Sequence, residues 1–409
     1  VGFPPKADPR HRRGNGTRKR DMRMHSYELG RKSQERINKP SRVIMSNPQK
    51  TPFYDMHVKN HAKIVEFAGY LMPLQFRGIM EEHRKVRSSV GLFDITHMGE
   101  FEVWGKDKEN FIQKMTTNDV SKLANYQVQY SCMCYDHGGI VDDLLVYRLP
   151  DHFFLVVNGA CVEKDFKWLR GHLSGDVELK NISDETCLLA IQGPKAENVL
   201  RKLTGYNLPD LKYYWSAWGK INGVEMLFSR TGYTGEDGFE LYFSPPHAEK
   251  MWNATVEAGR EFDIEPIGLG ARDSLRLEMK YMLYGNDIDQ TTNPLEAGLG
   301  WIVKLDKGDF KGYEPTLKLK QQGIKRKLVA FEMEDKAFPR QHYEIHKDKK
   351  KIGEVTSGTF SPSLNKGIGL GYVPIEYSEI GNALDIIIRG KPQKGMVIKP
   401  PFYKNFTHR

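Results

Sequence analysis

Gly138-Gly139-Ile140-Val141-Asp142-Asp143-Leu144-Leu145-Val146-Tyr147 is the stretch whose reading decides the fold. A glycine pair opens a run of strand-forming residues, and two adjacent carboxylates sit inside it. Successive side chains of a pleated strand point to opposite faces. Ile140, Asp142, Leu144 and Val146 are therefore expected on one face, and Val141, Asp143, Leu145 and Tyr147 on the other. Each Asp interrupts a different apolar face, so at least one carboxylate is expected in the interior. A buried carboxylate is costly unless it is hydrogen-bonded or paired. The alternative to a functional role is a strand-end Asp that bonds nearby backbone N–H groups. Alternation alone does not choose between Asp142 and Asp143.

Outward from this strand, the same reasoning places strands at Val128–Cys134 and Phe153–Val157, with a helix over Cys161–Leu169. Upstream, Ile79–Ser89 has helical charge spacing, Val90–Val103 alternates like a strand, and Asn110–Met115 reads as a short helix. Downstream, Leu188–Pro194 is a strand ending in a Gly-Pro turn, followed by a helix to Leu203. Strands alternate with single helices, and several pairs look like hairpins. That pattern predicts α+β layers and not a doubly wound parallel sheet.

Arg230-Thr231-Gly232-Tyr233-Thr234-Gly235-Glu236-Asp237-Gly238-Phe239-Glu240-Leu241 is glycine-rich but lacks both phosphate-loop signatures. A tight hairpin is its structural explanation. Glycines also let a planar ligand approach the main chain. A carboxylate such as Glu236 accepts two parallel N–H donors from a flat edge. Ile267–Tyr284 reads as a glycine-led helix with Arg272 and Arg276 one turn apart, each with local acids in reach. Trp301 is expected to enter a strand. A Lys-rich stretch over Lys304–Gln322 is the expected domain boundary, and the short strands Lys327–Met333, Ile352–Thr356, Gly367–Val373 and Ala383–Ile388 predict a small all-β unit.

With 409 residues and 39% apolar content the chain reads as a soluble globular protein, without an apolar run able to span a bilayer. The formal charge of +9 is local. Residues 1–44 hold 13 Lys+Arg against 4 Asp+Glu, leaving 48 of each sign in 45–409. The arm shows no apolar periodicity and is expected to be disordered and dispensable, with Met45 as a candidate start. It carries no aromatic platform for nucleic acid and no signal-peptide core. The four cysteines include Cys132-x-Cys134, which is not a zinc or redox spacing, so they are expected to be packed thiols in a reducing compartment. The 13 histidines form no metal-binding motif, and no metal is expected.

Nine motifs then stand in order. They are Thr51-Pro-Phe-Tyr-Asp55, Gly91-Leu-Phe-Asp94 with Thr96-His-Met98, Gly138-Gly-Ile-Val-Asp-Asp-Leu144, Gln192-Gly-Pro194 and Thr231-Gly-Tyr-Thr-Gly-Glu236. Gly270-Ala-Arg-Asp-Ser-Leu-Arg-Leu-Glu278, Leu283-Tyr-Gly-Asn-Asp-Ile-Asp289, Thr356-Ser-Gly358 with Ser361-Pro-Ser363, and Gly371-Tyr-Val373 follow. Over residues 50–405 the chain resembles the glycine cleavage system T-protein family of aminomethyltransferases. The resemblance implies a three-lobed cloverleaf with two interleaved α+β lobes and a C-terminal β-barrel. The expected division is a basic arm at 1–44, folate-binding lobes at 45–320 and the barrel at 321–409.

The family reaction takes the aminomethyl group on the lipoyl-lysine of H-protein and passes its one-carbon unit to tetrahydrofolate. The products are 5,10-methylenetetrahydrofolate, ammonia and dihydrolipoyl H-protein. By family position the catalytic residue is Asp143, with Asp142 left to a structural role near the glycine turn. Glu236 and Arg272 are expected on the pterin edge and carbonyl, and Tyr233, Asn158, Met72 and Tyr403 at the walls and mouth of the folate channel. Charge developing on the methylene carbon, or on the iminium formed with a folate nitrogen, explains the need for a preorganised carboxylate. The resemblance implies lipoylated H-protein and tetrahydrofolate as partners, without nucleic acid or membrane. It places the protein in a bacterial-type cytoplasm, or in the mitochondrial matrix of a eukaryote. Two relatives of the same fold offer alternatives: a folate-dependent demethylase of a small methylated compound, and a non-enzymatic folate-binding iron–sulfur assembly factor. The factor's Lys-Gly-Cys-Tyr-type cysteine has no counterpart in Arg230–Glu236.

Overall fold

Two β-sheets face one another across an apolar seam, and the functional cavity opens within that seam. The computed structural model describes residues 48–408, so the basic arm at 1–44 lies outside the described residues. The first sheet orders its strands Val128–Cys134, Ile140–Arg148, Phe153–Val157, Gly99–Trp104 and Glu178–Asn181. The second orders Ser216–Ile221, Val224–Ser229, Gly238–Phe243, Cys187–Gln192, Gly91–Asp94 and Glu265–Pro266. Tyr147, Phe154 and Val156 of the first pack against Phe93, Leu188, Ala190 and Tyr242 of the second. The Tyr147 hydroxyl also meets those of Tyr242 at 2.7 Å and Ser229 at 3.1 Å. The opposite faces close separate cores around Phe228 and Phe239 in one lobe and Phe101 and Leu155 in the other. The mixed helix-and-strand reading and the interleaved lobes hold.

Expected strand Val90–Val103 is in fact two strands, one in each sheet. The chain leaves the second sheet at Asp94 and enters the first at Gly99. The break is held by Asp94, whose buried carboxylate accepts from Thr51 Oγ1 at 2.6 Å and the Thr96 N–H at 3.0 Å and lies 2.8 Å from His57 Nε2. A polar anchor overrides the alternation.

The central strand also departs from simple alternation, at one residue. Register against Val128–Cys134 slips at Val141, so Met133 faces Asp142 while Cys134 faces Ile140. Val141 therefore joins Leu144 and Val146 in the lobe core, and Ile140 turns to the barrel-side cluster with Leu328 and Phe402. From Asp142 onward the expected faces are observed. Gly138 takes φ +88°, and a Cβ at Gly139 would stand 1.9 Å from the Gln290 carbonyl oxygen. The glycine pair is thus a steric requirement of the turn.

Six strands from Arg326–Met333 to Lys391–Ile398 close a barrel. Helix Leu269–Glu278 ties it to the lobes, ending short of the expected Tyr284. Arg276, 1% exposed, donates to Asp273 at 2.8 Å, Asp287 at 2.6 Å and Ser357 Oγ at 2.8 Å, joining helix, loop and barrel. The Lys-rich stretch is no loose linker. Lys307 donates its buried amine to the carbonyls of Gln113, Thr116 and Asn118, and helix Tyr313–Gln322 follows. Trp301 lies in the short 3-10 turn Gly300–Ile302, not in a strand. All four cysteines are buried free thiols.

Removing one partner of a buried ion pair strands the other charge and costs about 3–5 kcal/mol. Arg276→Met is expected to lower folding stability by that amount, read by denaturant titration; a change under about 1 kcal/mol contradicts the anchoring role.

Candidate functional site

Asp143 stands on the strand face that looks into the inter-sheet seam, at the wall of a cavity of about 780 Å³. That volume falls in the range of small-molecule sites, about 300–1,000 Å³. The walls are mostly apolar, from Ile95, Val156, Leu188 and their neighbours, so charged groups inside are poorly screened.

Three hydrogen-bond donors fix the adjacent carboxylates. Tyr130 donates its hydroxyl to Asp143 Oδ2 at 2.8 Å. Asn158 Nδ2 donates to Asp143 Oδ1 and to Asp142 Oδ1, each at 2.9 Å. The Asn158 backbone N–H donates to Asp142 Oδ2 at 3.0 Å. One amide therefore spans both carboxylates. Asp142 turns away from the cavity, and its backbone partner is Asn158 and not the glycine turn, because the strand register points it beneath helix Val162–Arg170. There Asp142, Cys161 and Asp165 bring potential ligand atoms within 4.8 Å, and the neighbouring Lys164 ammonium, bonded to Asp165 and to the Val141 carbonyl, supplies positive charge.

Burial pushes Asp143 up to about 7, with the negative charge of Asp142 as the second cause; the Tyr130 and Asn158 hydrogen bonds pull it down. Asp142 is itself pushed well above the carboxylate range by burial and then by Asp165. Burial is thus the first cause that holds both carboxyls above the usual carboxylate range. A carboxyl poised near 7 exchanges a proton in either direction at little cost.

Arg272 also lines the cavity, with its guanidinium 4.5 Å above the Tyr233 ring. It makes no side-chain hydrogen bond among the described residues, unlike Arg276 one turn on. Burial lowers its basicity, with Tyr233 opposing. A free fork of N–H donors over an aromatic face suits a planar ligand with a carbonyl. The Tyr233 hydroxyl is tied to the Met282 carbonyl. Gly232 is forced by packing, since a Cβ there would meet Gln192 Oε1 at 2.0 Å.

The structure brings Asp143, Asn158, Tyr233 and Arg272 to this cavity. Three other expected residues are elsewhere. Glu236 is buried against Arg87 Nη1 at 2.8 Å and Thr407 Oγ1, so its carboxylate is already paired outside the cavity lining. Met72 is fully buried in strand Tyr70–Gln75. Tyr403 lies over the Arg87 guanidinium at 4.1 Å, and the preceding Pro400 and Pro401 reach the cavity instead. The residue that sequence reasoning missed is Glu240. It lines the cavity, accepts from Thr231 Oγ1 and is raised by burial, with Thr231 foremost in opposing that shift. Its signal was present: Phe239, Leu241 and Phe243 share a core face, leaving Glu240 and Tyr242 on the other.

The GCVT N-terminal domain family matches residues 53–307, and the glycine cleavage T-protein C-terminal barrel domain matches residues 326–404. The chain belongs to the glycine cleavage T-protein family. A curated relative from Desulfitobacterium hafniense (strain Y51), named aminomethyltransferase, is 50% identical over 362 residues, 88% of this chain and 99% of the relative. Another of that name from Chloroherpeton thalassium is 53% identical over 359 residues, 87% and 99% of the two chains. The crystal structure of glycine cleavage system aminomethyltransferase T from Bartonella henselae superposes with a TM-score of 0.84 at 32% identity, covering 89% of this chain and 100% of that one. As a T-protein family member, the chain is an aminomethyltransferase, with the expected lobes and barrel.

A hydrogen bond to a charged group contributes about 1.5–3 kcal/mol, and 1.36 kcal/mol is one pH unit. Tyr130→Phe removes a donor that favours ionised Asp143, so the acid limb of the pH–rate profile is expected to move up by on the order of one unit. An unmoved or lowered limb contradicts the assignment of that limb to Asp143.

Proposed function

We propose that this chain transfers the one-carbon unit of an aminomethyl group, carried on the lipoyl-lysine of H-protein, to tetrahydrofolate. The observation that supports it is that Asp143, an open Arg272–Tyr233 platform and the buried Glu240 carboxylate line one apolar cavity. In this reading the pterin ring lies against Tyr233, its carbonyl accepts from Arg272, and its N–H edge donates to Glu240. Glu240 replaces Glu236 in that role. The proposed division remains folate-binding lobes over 45–320 and a barrel domain over 321–409, and the proposed compartment is the cytoplasm. Among the described residues no helix is long and apolar enough to cross a membrane.

Loss of ammonia from the S-linked aminomethyl group leaves positive charge at the methylene carbon. Asp143, ionised by the time this charge develops, stabilises it in a cavity that screens poorly. The carboxylate accepts the proton released as one folate nitrogen bonds to that carbon and returns it to the lipoyl sulfur as the C–S bond breaks. The second folate nitrogen then closes on the iminium carbon and loses its own proton, which balances the one that left with ammonia. Asn158 and Tyr130 hold both oxygens in place and so restrict the carboxylate to one orientation.

The two alternatives differ in what they consume. A demethylase forms methylenetetrahydrofolate, or a methyl folate, from a small methylated donor, and an assembly factor forms neither. Asp143→Asn is expected to lower kcat with aminomethylated H-protein by about 10²–10³ or more while folate affinity changes less than threefold. Glu240→Gln is expected to raise the folate dissociation constant roughly tenfold and lower kcat less. Wild-type protein that releases no ammonia from aminomethylated H-protein contradicts the function, and an active Asp143→Asn variant contradicts the site.

A further inference from the structure

The charges that line the cavity do not all find partners. Two carboxylates, Asp143 and Glu240, and two cations, Arg272 and Lys280, reach it. Asp143 is held by Tyr130 and Asn158, and Arg272 has its Tyr233 ring and the field of Glu240. Lys280 lies over no aromatic ring among the described residues, and only the field of Asp287 favours its charge. Among the described residues its amine pairs with no carboxylate, and its one hydrogen bond is a long one to the Ala297 carbonyl at 3.4 Å. Burial, followed by the like charge of Lys327, pushes the amine down to about 8, and Asp287 offsets part of this. The group is still mostly protonated at neutral pH, an under-compensated cation in a partly dry wall.

The backbone at this position is unusual too. Lys280 takes φ +58°, in the left-handed region that favours glycine. It closes helix Leu269–Glu278, with its N–H on the Leu277 carbonyl at 2.9 Å and the Tyr281 N–H on the Arg276 carbonyl at 3.0 Å. Glycine is the usual residue at such a helix end, so a long cationic side chain stands where the backbone is best served by none. The amine lies against the Gly298 turn, since a Cβ on Gly298 would come within 3.0 Å of Lys280 Nζ. Trp301, three residues on and 61% exposed, also lines the cavity and marks its solvent side.

We propose that Lys280 binds the anionic glutamyl tail of the folate co-substrate at the open end of the cavity. The inference rests on the folate reading above. A folate has a planar, hydrogen-bonding ring at one end and carboxylates at the other. With the ring on Arg272, Tyr233 and Glu240, the tail extends toward the Gly298–Trp301 side, where Lys280 is the remaining cation among the cavity-lining residues. Charge-assisted pairing at a part-buried amine is stronger than at an open surface.

The test compares equilibrium binding of tetrahydropteroylglutamate and of tetrahydropteroate, which has the same ring without glutamate, to the full chain and to its Lys280→Met and Lys280→Arg variants. Wild type is expected to bind the glutamate form roughly tenfold tighter. Lys280→Met is expected to abolish most of that preference while leaving tetrahydropteroate affinity unchanged, and Lys280→Arg to retain it in large part. Equal weakening of both ligands by Lys280→Met would reveal a packing role, and no weakening of either would reveal no role in folate binding. An effect confined to the KM for H-protein would assign the carboxylate to that partner. Each of these overturns the proposal. Wild-type protein that binds neither ligand would instead bring down the folate reading, a result distinct from all of the others.

Discussion

Two adjacent carboxylates on one buried strand are the constraint to which the surrounding structure answers. Asp142 and Asp143 point to opposite faces, so each needs its own remedy for burial. Asp142 is met by Lys164, Asp165 and the Asn158 backbone, and Asp143 by Tyr130 and the Asn158 amide. Asn158 serves both, and removing it would leave two carboxyls short of donors at once. The slip at Val141 belongs to the same solution. It frees the Val141 carbonyl to accept from Lys164, which sets that ammonium beside the acids.

The cavity owes its shape to two sheets packed face to face and to one helix that closes the third side. On helix Leu269–Glu278, Arg272 is open to the cavity, while Arg276 is buried against Asp287 and Ser357. Residues one turn apart thus differ, one left without a side-chain hydrogen bond among the described residues and one locked to the barrel. The C-terminal segment takes part as well. Pro400 and Pro401 line the cavity, and Thr407 completes the partnership of Glu236 with Arg87. The glycine-rich turn is therefore held from outside the cavity while its inner residues, Gly232 and Tyr233, face into it.

Much of this was legible beforehand. Alternation in Leu144–Tyr147 and the apolar strands around it is legible in the sequence, because burial on one face imposes a period of two. Motif order identified the family. Three features were not legible, for physical reasons. The split at Asp94 depends on contacts with Thr51 and His57, more than thirty residues away. Glu236 and Glu240 compete for one role, and only the Arg87 and Thr407 contacts show that Glu236 is already taken. Lys307 reads as part of a Lys-rich domain boundary until three carbonyls are found converging on its amine. In each case a distant polar partner, invisible to local pattern, decides the outcome.

The central claim is that burial holds one catalytic carboxyl near neutrality. Carboxyl carbon NMR of protein labelled at aspartate, titrated with pH and compared with Asp143→Asn, measures it directly. The account predicts a resonance titrating near 7 in the wild type that is absent from the variant. If the resonance lost in Asp143→Asn instead titrates near 4, as for an exposed carboxylate, the account is contradicted.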